Sequence, residues 1–484
     1  MTEAPTFAAI DLGASSGRVV AGRLDGGRVV LEELHRFPNR PVALPDGLRW
    51  NLLHLFTESL DGLRRAGALR GVGVDAWGVD YALLDARGRV LGLPFHYRDR
   101  RTEGMPGRAF ARVPQRELYA VTGIQTMPIN TVFQLLADEG SPALEAADRI
   151  ALVPDLIAHW LSGELANEST SASTTGLLDA ARGEWALDLV TRLGLPARPF
   201  RDLVEPGTPL GPALALHGLG GVPVHAVAGH DTASAFVAAP VRDEHPAILS
   251  SGTWCLLGLE LAEPILTDAA RAANLTNERG VDGTTRLLKN VMGLWLEQEC
   301  ARAWDLPFPE VHRLAAAAPV DVPVFDPDDD AFLAPGDMPA RIAAACVRSG
   351  QREPRDRGET ARSILVSLAC KYRFVLERLE AVTGREITCI HAIGGGVRNR
   401  LLCGLTADIC GREVIVGAVE AAALGNVLVQ ARAVGELASL ADMRAVAAAS
   451  TDPISHDPDP DRDAAEETYR RFLDATGLAT PAAT

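Results

Sequence analysis

Apolar and polar positions follow the same short scheme in two blocks of the chain, one near the start and one near the middle. The block "FAAIDLGASSGRVVAGRLDGGRVVLEEL" predicts three strands separated by a Gly/Ser-rich turn at 13–17 and by "DGG" at 25–27. The block "PAILSSGTWCLLGLELAEP" predicts two strands around a Ser-Gly-Thr turn at 251–253. The two halves of the chain are therefore predicted to be variations on one strand–turn–strand unit.

Helical and strand periodicity alternate along the rest of the chain. The segments "PQRELYAVTG", "NTVFQLLADE" and "VPDLIAHWLSG" predict helices, and "GETARSILVSLACKYRFVLERLEAVTG" predicts a long helix that ends at Gly384. The strand "EITCIHAI" and a "GGG" turn follow that helix. This alternation over 484 residues predicts an α/β protein of two domains, 1–243 and 244–484, with the boundary near "PVRDEHP" and a loose tail from about residue 477.

Composition and charge exclude several classes of protein. The chain is 47% hydrophobic and 23% charged, as is usual for a globular protein, and its formal net charge of −16 opposes binding to nucleic acid or to an anionic membrane. The chain has no stretch of 18 consecutive apolar residues and no basic targeting segment, which predicts a cytoplasmic protein. Seven cysteines without a C-x-x-C pair predict reduced, buried thiols.

Two unusual features of composition have ordinary interpretations. The chain has only two lysines, Lys289 and Lys371, and we interpret the preference for arginine mainly as a genomic bias. The acidic run "DPDDD" at 326–330 lacks the glycine of a calcium loop, because Ala331 stands in its place. A solvated acidic loop is the favoured interpretation.

The two predicted turns are candidates for binding phosphate. Small residues in "DLGASSGR" leave backbone N–H groups uncovered, and Asp11 at the end of the strand could hold a Mg²⁺ ion beside them. In "SSGTW" the Thr253 hydroxyl is a further donor, so the two turns could bind one polyphosphate. The alternative is a pair of ordinary turns. The Walker A motif is absent because no lysine follows a glycine, and "IGGGVRN" has Asn399 where a dinucleotide motif needs its last glycine.

The stretch "AGHDTASAF" places Asp231 between an apolar run and a predicted helix. Two interpretations stay open: Asp231 caps the helix, or it is a general base whose ionised form the helix dipole favours. Three tryptophans beside small residues are also open to two interpretations, core packing or the wall of a sugar site: Trp77, Trp254 and Trp295.

In this order along the chain, "DLGASSGR", "GHDTASA", "SSGTW" and "IGGGVRN" resemble the phosphate and adenosine segments of the FGGY carbohydrate kinases, relatives of actin, hexokinase and Hsp70. The resemblance spans roughly residues 7 to 432 and implies two ribonuclease-H-like domains around a central cleft. Within the family, "AWGVDYALLD", "YRDRRT" and "NERGVDGTTRLLKNVMGLWLEQE" are most similar to members that act on L-rhamnulose. They imply transfer of phosphate from ATP, with Mg²⁺, to the 1-hydroxyl of that sugar in rhamnose degradation.

Two other functions stay open at this point. A kinase for another ketose, such as L-fuculose or a xylulose, would share the phosphate machinery, and a non-catalytic nucleotide-dependent switch would share the fold. The resemblance leaves the oligomeric state open.

The same resemblance implies roles for individual residues. It makes Asp231 the catalytic base and Asp11 the metal-associated acid. The implied sugar-binding residues are Gly78, His230, Asp231, Thr232 and Asn290. The implied nucleotide-binding residues are Ala14, Ser15, Ser16, Gly17, Arg18, Thr253, Gln298 and Gly395.

Overall fold

The computed structural model describes residues 4–241 and 246–478. The predicted boundary between residues 243 and 244 and the end of the predicted tail, 479–484, lie outside the described residues, so both stay predictions. The chain forms two compact units. The first unit holds the residues up to Pro240 with Glu260–Leu288 and Glu420–Asp452, and the second holds Val241–Leu259, Lys289–Val419 and the residues from Pro453 on.

The strands of the described residues, in chain order, are β1 (Thr6–Leu12), β2 (Ser16–Asp25), β3 (Arg28–Pro38), β4 (Val42–Leu44), β5 (Gly47–Arg49), β6 (Gly71–Ala76), β7 (Tyr81–Leu84), β8 (Arg149–Leu152), β9 (Asn167–Glu168), β10 (Leu178–Asp179), β11 (Glu184–Trp185), β12 (Leu203–Val204), β13 (Pro209–Pro212), β14 (Pro223–His225), β15 (Ala247–Ser251), β16 (Cys255–Leu261), β17 (Thr276–Arg279), β18 (Thr285–Val291), β19 (Cys389–Ile393), β20 (Glu413–Val416) and β21 (Ile454–His456).

The α-helices of the same residues are α1 (Leu52–Leu63), α2 (Met105–Arg112), α3 (Gln115–Thr122), α4 (Thr131–Ala137), α5 (Pro142–Ala146), α6 (Val153–Ser162), α7 (Ser169–Ser173), α8 (Leu187–Arg192), α9 (Asp231–Val237), α10 (Asp268–Ala272), α11 (Trp295–Trp304), α12 (Phe308–Ala317), α13 (Met338–Arg348), α14 (Arg357–Thr383), α15 (Arg400–Cys410), α16 (Ala421–Ala433), α17 (Leu440–Ala449) and α18 (Asp463–Thr476). Short 3-10 turns occur at Arg100–Thr102, Ala215–His217, Val281–Gly283, Asp330–Phe332 and Gly395–Arg398.

The two units contain the same pattern of strand pairing. In the first unit β1 pairs antiparallel with β2 and parallel with β6, β6 pairs parallel with β14, and β14 pairs antiparallel with β13. In the second unit β15 pairs antiparallel with β16 and parallel with β19, β19 pairs parallel with β20, and β20 pairs antiparallel with β21. The predicted repetition of a strand–turn–strand unit is confirmed, and it extends to three further strands.

The predicted long helix is also confirmed. Helix α14 ends at Thr383, and Gly384 follows with a φ of +66°, a left-handed conformation that glycine adopts without strain. The backbone N–H of Gly384 donates to the carbonyl of Glu380 over 2.8 Å, which closes the last turn of the helix.

The central strands of the first sheet are buried on both faces. All residues of β6 and all but the first of β1 are buried, as is typical of parallel strands that are covered on both sides. Two carboxylates interrupt these otherwise small and apolar strands, Asp11 on β1 and Asp75 on β6, and they are register partners near the carboxyl ends. An aspartate on a strand that is otherwise buried among apolar residues costs free energy unless it is paired, so this edge is a candidate site.

Two predictions from composition have different outcomes. All seven cysteines are free and buried, as expected, and Cys403 and Cys410 lie on the buried side of α15. The expected solvated acidic loop at 326–330 is wrong in part, because Lys371 Nζ lies 2.8 Å from Asp326 Oδ1 and 3.1 Å from Asp328 Oδ2. In the described part of the chain no helix combines the length and the apolar character that crossing a bilayer requires.

Candidate functional site

The carboxyl ends of β1 and β6 carry a cluster of charged side chains. Arg18 on β2 donates to Asp11 Oδ2 through Nε over 2.9 Å and through Nη2 over 2.7 Å, and it also forms an ion pair with Glu420. Asp75 is fully buried and its Oδ2 accepts from Asn426 Nδ2 over 2.6 Å. Burial raises the pKa of Asp75 well above its usual value, and the nearby Asp11 carboxylate raises it further.

The predicted first phosphate turn lies directly beside this cluster. The Gly13 N–H donates to the Ser16 carbonyl over 2.9 Å, and Asn39 Nδ2 donates to the Gly13 carbonyl over 2.9 Å, which fixes the turn. Within the described residues the N–H groups of Ala14 and Ser15 make no recorded hydrogen bond. The turn therefore presents two uncommitted backbone donors, which is what a phosphate-binding turn requires.

Gly17 is required by packing in this turn. A Cβ atom at this position would lie 2.3 Å from the ring of Phe37 on β3, so a larger residue would displace the strand that supports the turn.

Asp231 is the first residue of α9, and His230 is its N-cap. The interpretation of Asp231 as the cap is therefore wrong by one position. Thr232 Oγ1 donates to Asp231 Oδ1 over 3.1 Å, and His230 Nε2 lies 3.5 Å from the same oxygen. The side chain of Asp231 is 29% exposed, so it can reach a ligand.

The acid–base behaviour of Asp231 also differs from the expectation. We expected the helix dipole to favour the ionised form, but burial raises the pKa of Asp231, and the Asp11 carboxylate adds to that rise. The His230 side chain acts in the opposite direction. A raised pKa brings an aspartate closer to the range in which a general base is most effective near neutral pH.

A second buried network holds the ring of His230. Arg286 Nη2 lies 3.1 Å from His230 Nδ1, and Glu278 Oε2 lies 3.3 Å from the same nitrogen. Arg286 Nη2 and Glu278 Oε2 are 3.2 Å apart, and all three side chains are buried. Sequence reasoning missed Arg286 and Glu278. Their signal was faint: two ionisable residues within the segment "LTNER" and one within "TTRLL".

The segment before His230 is held by a buried carboxylate that sequence reasoning also missed. Glu168 accepts from the Gly229 N–H over 2.9 Å, from the Thr170 N–H over 2.6 Å and from Thr170 Oγ1 over 2.6 Å. Thr170 Oγ1 in turn lies 3.3 Å from the His230 N–H. Glu168 therefore joins the start of α7 to the loop that ends at His230.

Gly78 lies beside a buried aromatic cluster. Trp77 and Trp50 have ring centroids 4.0 Å apart, and their Nε1 atoms donate to Asp80 Oδ2 over 2.9 Å and 2.5 Å. Trp77 is only 6% exposed, which supports the core interpretation for this tryptophan. Val79 has a φ of +67°, which is rare for a β-branched residue and marks a strained backbone next to Gly78.

The second predicted phosphate turn assembles in the second unit. Gln298 Nε2 donates to Thr253 Oγ1 over 3.1 Å, and the N–H of Trp295 donates to the Thr253 carbonyl over 3.0 Å. A Cβ atom on Gly396 would lie 2.1 Å from Ser251 Oγ, whereas one on Gly395 would meet nothing within 4 Å. Thr253 and Gln298 are thus in direct contact. Gly395 precedes Gly396, which packs against Ser251 in the same turn.

The predicted sugar residue Asn290 lies on β18 in the second unit, next to Lys289. Burial lowers the pKa of Lys289 to about 8, while Asp328 raises it and Lys371 lowers it. Asp328 Oδ1 also accepts from the Met292 N–H over 2.9 Å. Both lysines of the chain therefore belong to one cluster with Asp326 and Asp328, immediately beside Asn290.

Two family models match the chain. The N-terminal domain of the FGGY family of carbohydrate kinases matches residues 7–238, and the C-terminal domain of that family matches residues 247–434. The chain is also 42% identical, over 90% of its length and 93% of the relative's, to a rhamnulokinase from Bacteroides thetaiotaomicron. It is 42% identical, over 90% of both chains, to a rhamnulokinase from Pectobacterium carotovorum.

Solved structures of sugar kinases have the same fold. Gluconate kinase from Lactobacillus acidophilus has a TM-score of 0.79 at 15% identity, covering 99% of this chain and 100% of that one. Glycerol kinase from Plasmodium falciparum with ADP has a TM-score of 0.77 at 15% identity, covering 99% of each chain. At this identity the similarity concerns the fold alone, and it confirms the expected two-domain α/β fold.

Proposed function

We propose, since the chain belongs to the FGGY family of carbohydrate kinases, that it transfers the γ-phosphoryl group of ATP to the 1-hydroxyl of L-rhamnulose. The products are L-rhamnulose 1-phosphate and ADP. The rhamnulokinase relatives support the choice of acceptor. The geometric observation that carries the proposal is Asp231, a part-exposed carboxylate of raised pKa in contact with Thr232 and His230.

Asp231 is the proposed catalytic base. Its carboxylate accepts the proton of the attacking hydroxyl and directs the oxygen toward the γ-phosphorus. In a loose transition state the hydroxyl proton leaves late, so the directing role matters more than proton removal. His230 and Thr232, which flank the base along the chain, are proposed sugar contacts in the first unit, together with Gly78. In the second unit Asn290 is the proposed sugar contact.

The carboxylate edge of the first unit fits a Mg²⁺ ion. Asp11 and Asp75 supply carboxylate oxygens, which Mg²⁺ prefers, and Asp75 Oδ1 is buried without a hydrogen-bond partner among the described residues. Mg²⁺ usually takes one or two carboxylates with water and phosphate, and this edge supplies two carboxylates. We assign Asp11 to the ion, which when bound neutralises phosphate charge.

The proposed ATP contacts follow from the two turns. In the first unit the backbone donors of Ala14 and Ser15, with Ser16, Gly17 and Arg18, bind phosphate oxygens. In the second unit the Thr253 hydroxyl, held by Gln298, and the open backbone at Gly395 contact ATP. The buried free thiols suit a reducing compartment, and we propose that the protein works in the cytoplasm without a nucleic-acid or membrane partner.

The test is a comparison of kcat/KM across sugars under one set of conditions. L-rhamnulose is expected to exceed L-fuculose, D-xylulose, L-xylulose, D-fructose and glycerol. One methyl group in an apolar pocket is worth ~1–3 kcal/mol, or roughly 10- to 200-fold, so residual turnover of other ketoses is expected. If another sugar gives the highest kcat/KM, the substrate assignment is wrong and the assignment as a kinase stands. If ATP is hydrolysed without any added sugar, the assignment as a kinase is wrong and a nucleotide-dependent switch is favoured.

A further inference from the structure

The guanidinium of Arg286 is fixed against the ring of His230. Arg286 is fully buried, and its Nε donates to the carbonyl of Arg279 over 3.0 Å. Its Nη2 lies 3.1 Å from His230 Nδ1, and its charged plane lies 5.6 Å from the centre of the Phe236 ring. Because Nε and Nη2 are both engaged, the guanidinium cannot rotate away from the imidazole without breaking a buried hydrogen bond.

This contact determines which nitrogen of His230 carries a proton. An arginine side chain has only donors and stays protonated at any pH at which proteins fold. Nδ1 must therefore accept, and in the neutral ring the proton then lies on Nε2. His230 Nε2 is the nitrogen that lies 3.5 Å from Asp231 Oδ1.

Glu278 is the group that favours the opposite tautomer. Its Oε2 lies 3.3 Å from His230 Nδ1 and could accept from a protonated Nδ1. The same oxygen lies 3.2 Å from Arg286 Nη2, so the arginine compensates the charge of Glu278 without a proton on His230 Nδ1. Another polar neighbour, Thr170 Oγ1, accepts from the backbone N–H of His230 and not from its ring.

We propose that Arg286 is a positioning residue that holds His230 in the Nε2–H tautomer, so that its ring donates toward the carboxylate of Asp231. A lone pair on Nε2 would instead repel the carboxylate oxygen at this distance. The Nε2–H tautomer therefore fixes the rotamer of Asp231 and leaves its second oxygen for the sugar hydroxyl. The effect on turnover rests on the proposed function, whereas the tautomer itself does not.

The direct test is nuclear magnetic resonance of the full chain labelled with nitrogen-15 in its histidine rings. His230→Gln identifies the signals of His230 among the eleven histidines of the chain. In the parent protein we expect an unprotonated Nδ1 and a protonated Nε2 at neutral pH. A protonated Nδ1 in the parent would overturn the proposal, and this outcome requires neither a variant nor an active enzyme.

Four variants separate Arg286 from its neighbour Glu278. Arg286→Lys keeps a cationic donor and is expected to keep the Nε2–H tautomer, as is Glu278→Gln. Arg286→Met is expected to move the proton to Nδ1, where it donates to Glu278. Because this variant leaves a buried anion without its cation, Arg286→Met with Glu278→Met serves as the neutral form and is expected to lose the preference for Nε2–H. An unchanged tautomer in the neutral pair would also overturn the proposal.

Kinetics supply the second measurement. Arg286→Met with Glu278→Met is expected to lower kcat for L-rhamnulose by about 10- to 100-fold, because a misplaced catalytic group costs this much, with the KM for ATP within about two-fold. Arg286→Lys is expected to restore most of the loss. Equal losses in kcat and in ATP affinity would indicate general damage to the fold and contradict a positioning role. If the parent phosphorylates no L-rhamnulose but shows the expected tautomer, the proposed function fails and the assignment of Arg286 stands.

Discussion

The two predicted phosphate turns follow strands with the same pairing pattern, but the side chains at the ends of those strands differ in charge. Each follows the central strand of its sheet, which has one antiparallel and one parallel neighbour. In the first unit the end of that strand carries Asp11, with Arg18 as its register partner. In the second unit it carries Ser251, with Cys255 as its register partner. The first turn therefore lies beside charged side chains and the second beside neutral ones.

The difference shows that the repeated arrangement of strands does not by itself determine the chemistry of each turn. Carboxylates that are held by an arginine can attract a cation and tune the pKa values of their neighbours, as Asp11 does for Asp75 and Asp231. A hydroxyl held by an amide, such as Thr253 by Gln298, can only donate or accept. We therefore expect the reaction to depend on charge in the first unit and on modest, additive contacts in the second.

The largest effect is expected at the proposed base. Asp231→Asn should lower kcat by a factor of ~10²–10⁴, because the neutral amide can neither direct the hydroxyl as the carboxylate does nor accept its proton. In the parent the raised pKa of Asp231 makes kcat fall as the pH is lowered through that value, and the variant should lose this acidic limb. Steady-state rates from acid to neutral pH measure both. Asp282→Asn, a more exposed carboxylate of the first unit paired with Arg432, is the control, and a similar loss there would contradict the assignment.

Asp11→Asn should change the Mg²⁺ requirement more than the sugar requirement. Loss of a group that supports a metal site typically costs about 10- to 100-fold in metal affinity, so the Mg²⁺ concentration at half activity should rise by roughly that factor. A Mg²⁺ titration at saturating sugar and ATP measures it. Asp25→Asn, at the exposed end of the adjoining strand β2, should leave the titration unchanged. An unaltered midpoint in Asp11→Asn would remove Asp11 from the metal site.

The packing around one glycine in each unit can be compared through the free energy of unfolding. A Cβ atom on Gly425 in α16 would lie 1.8 Å from the carbonyl oxygen of Ser234 in α9, so Gly425→Ala should destabilise the first unit by about 1–3 kcal/mol or more. Gly404→Ala in α15 of the second unit meets nothing within 4 Å and should stabilise by about 0.5–1 kcal/mol. Urea unfolding compares them. Equal changes in the free energy of unfolding of the two variants would contradict the expected clash between α16 and α9.

The smallest effect is expected at the neutral turn. Thr253→Ala removes one hydroxyl, and because a single neutral hydrogen bond is worth about 0.5–1.5 kcal/mol, the KM for ATP should rise roughly 2- to 13-fold with little change in kcat. Thr383→Ala is the matched control, because it removes a hydroxyl that donates to the Leu379 carbonyl and accepts from the Arg385 N–H at the end of α14, outside the turn. A change in the Mg²⁺ requirement of Thr253→Ala would mean that the second turn also carries charge-dependent chemistry.

Features that depend on neighbouring residues could be predicted from the sequence, whereas contacts between residues far apart along the chain could not. The turns at 13–17 and 251–253, the helix that ends at Gly384 and the place of Asp231 at the start of a helix depend on neighbouring residues, so periodicity and turn chemistry predicted them. Asp75 and Asn426 are 351 positions apart, and Arg286 and His230 are 56 apart, so no local pattern indicates that they meet. The direction of the Asp231 pKa shift was missed because its largest cause is burial, which the sequence does not reveal.

The cluster of Lys289 and Lys371 has a consequence for reading composition. All but two of the 47 basic residues of the chain are arginine, and both exceptions belong to one group around Asp326 and Asp328. An ammonium is a compact cation with three donors, whereas a guanidinium is a planar fork that needs more room. Both lysines are buried, so an arginine at either position would have to fit a larger, planar cation into this cluster. The tolerance of the cluster for arginine would therefore also bear on Asn290, which follows Lys289 on the same strand.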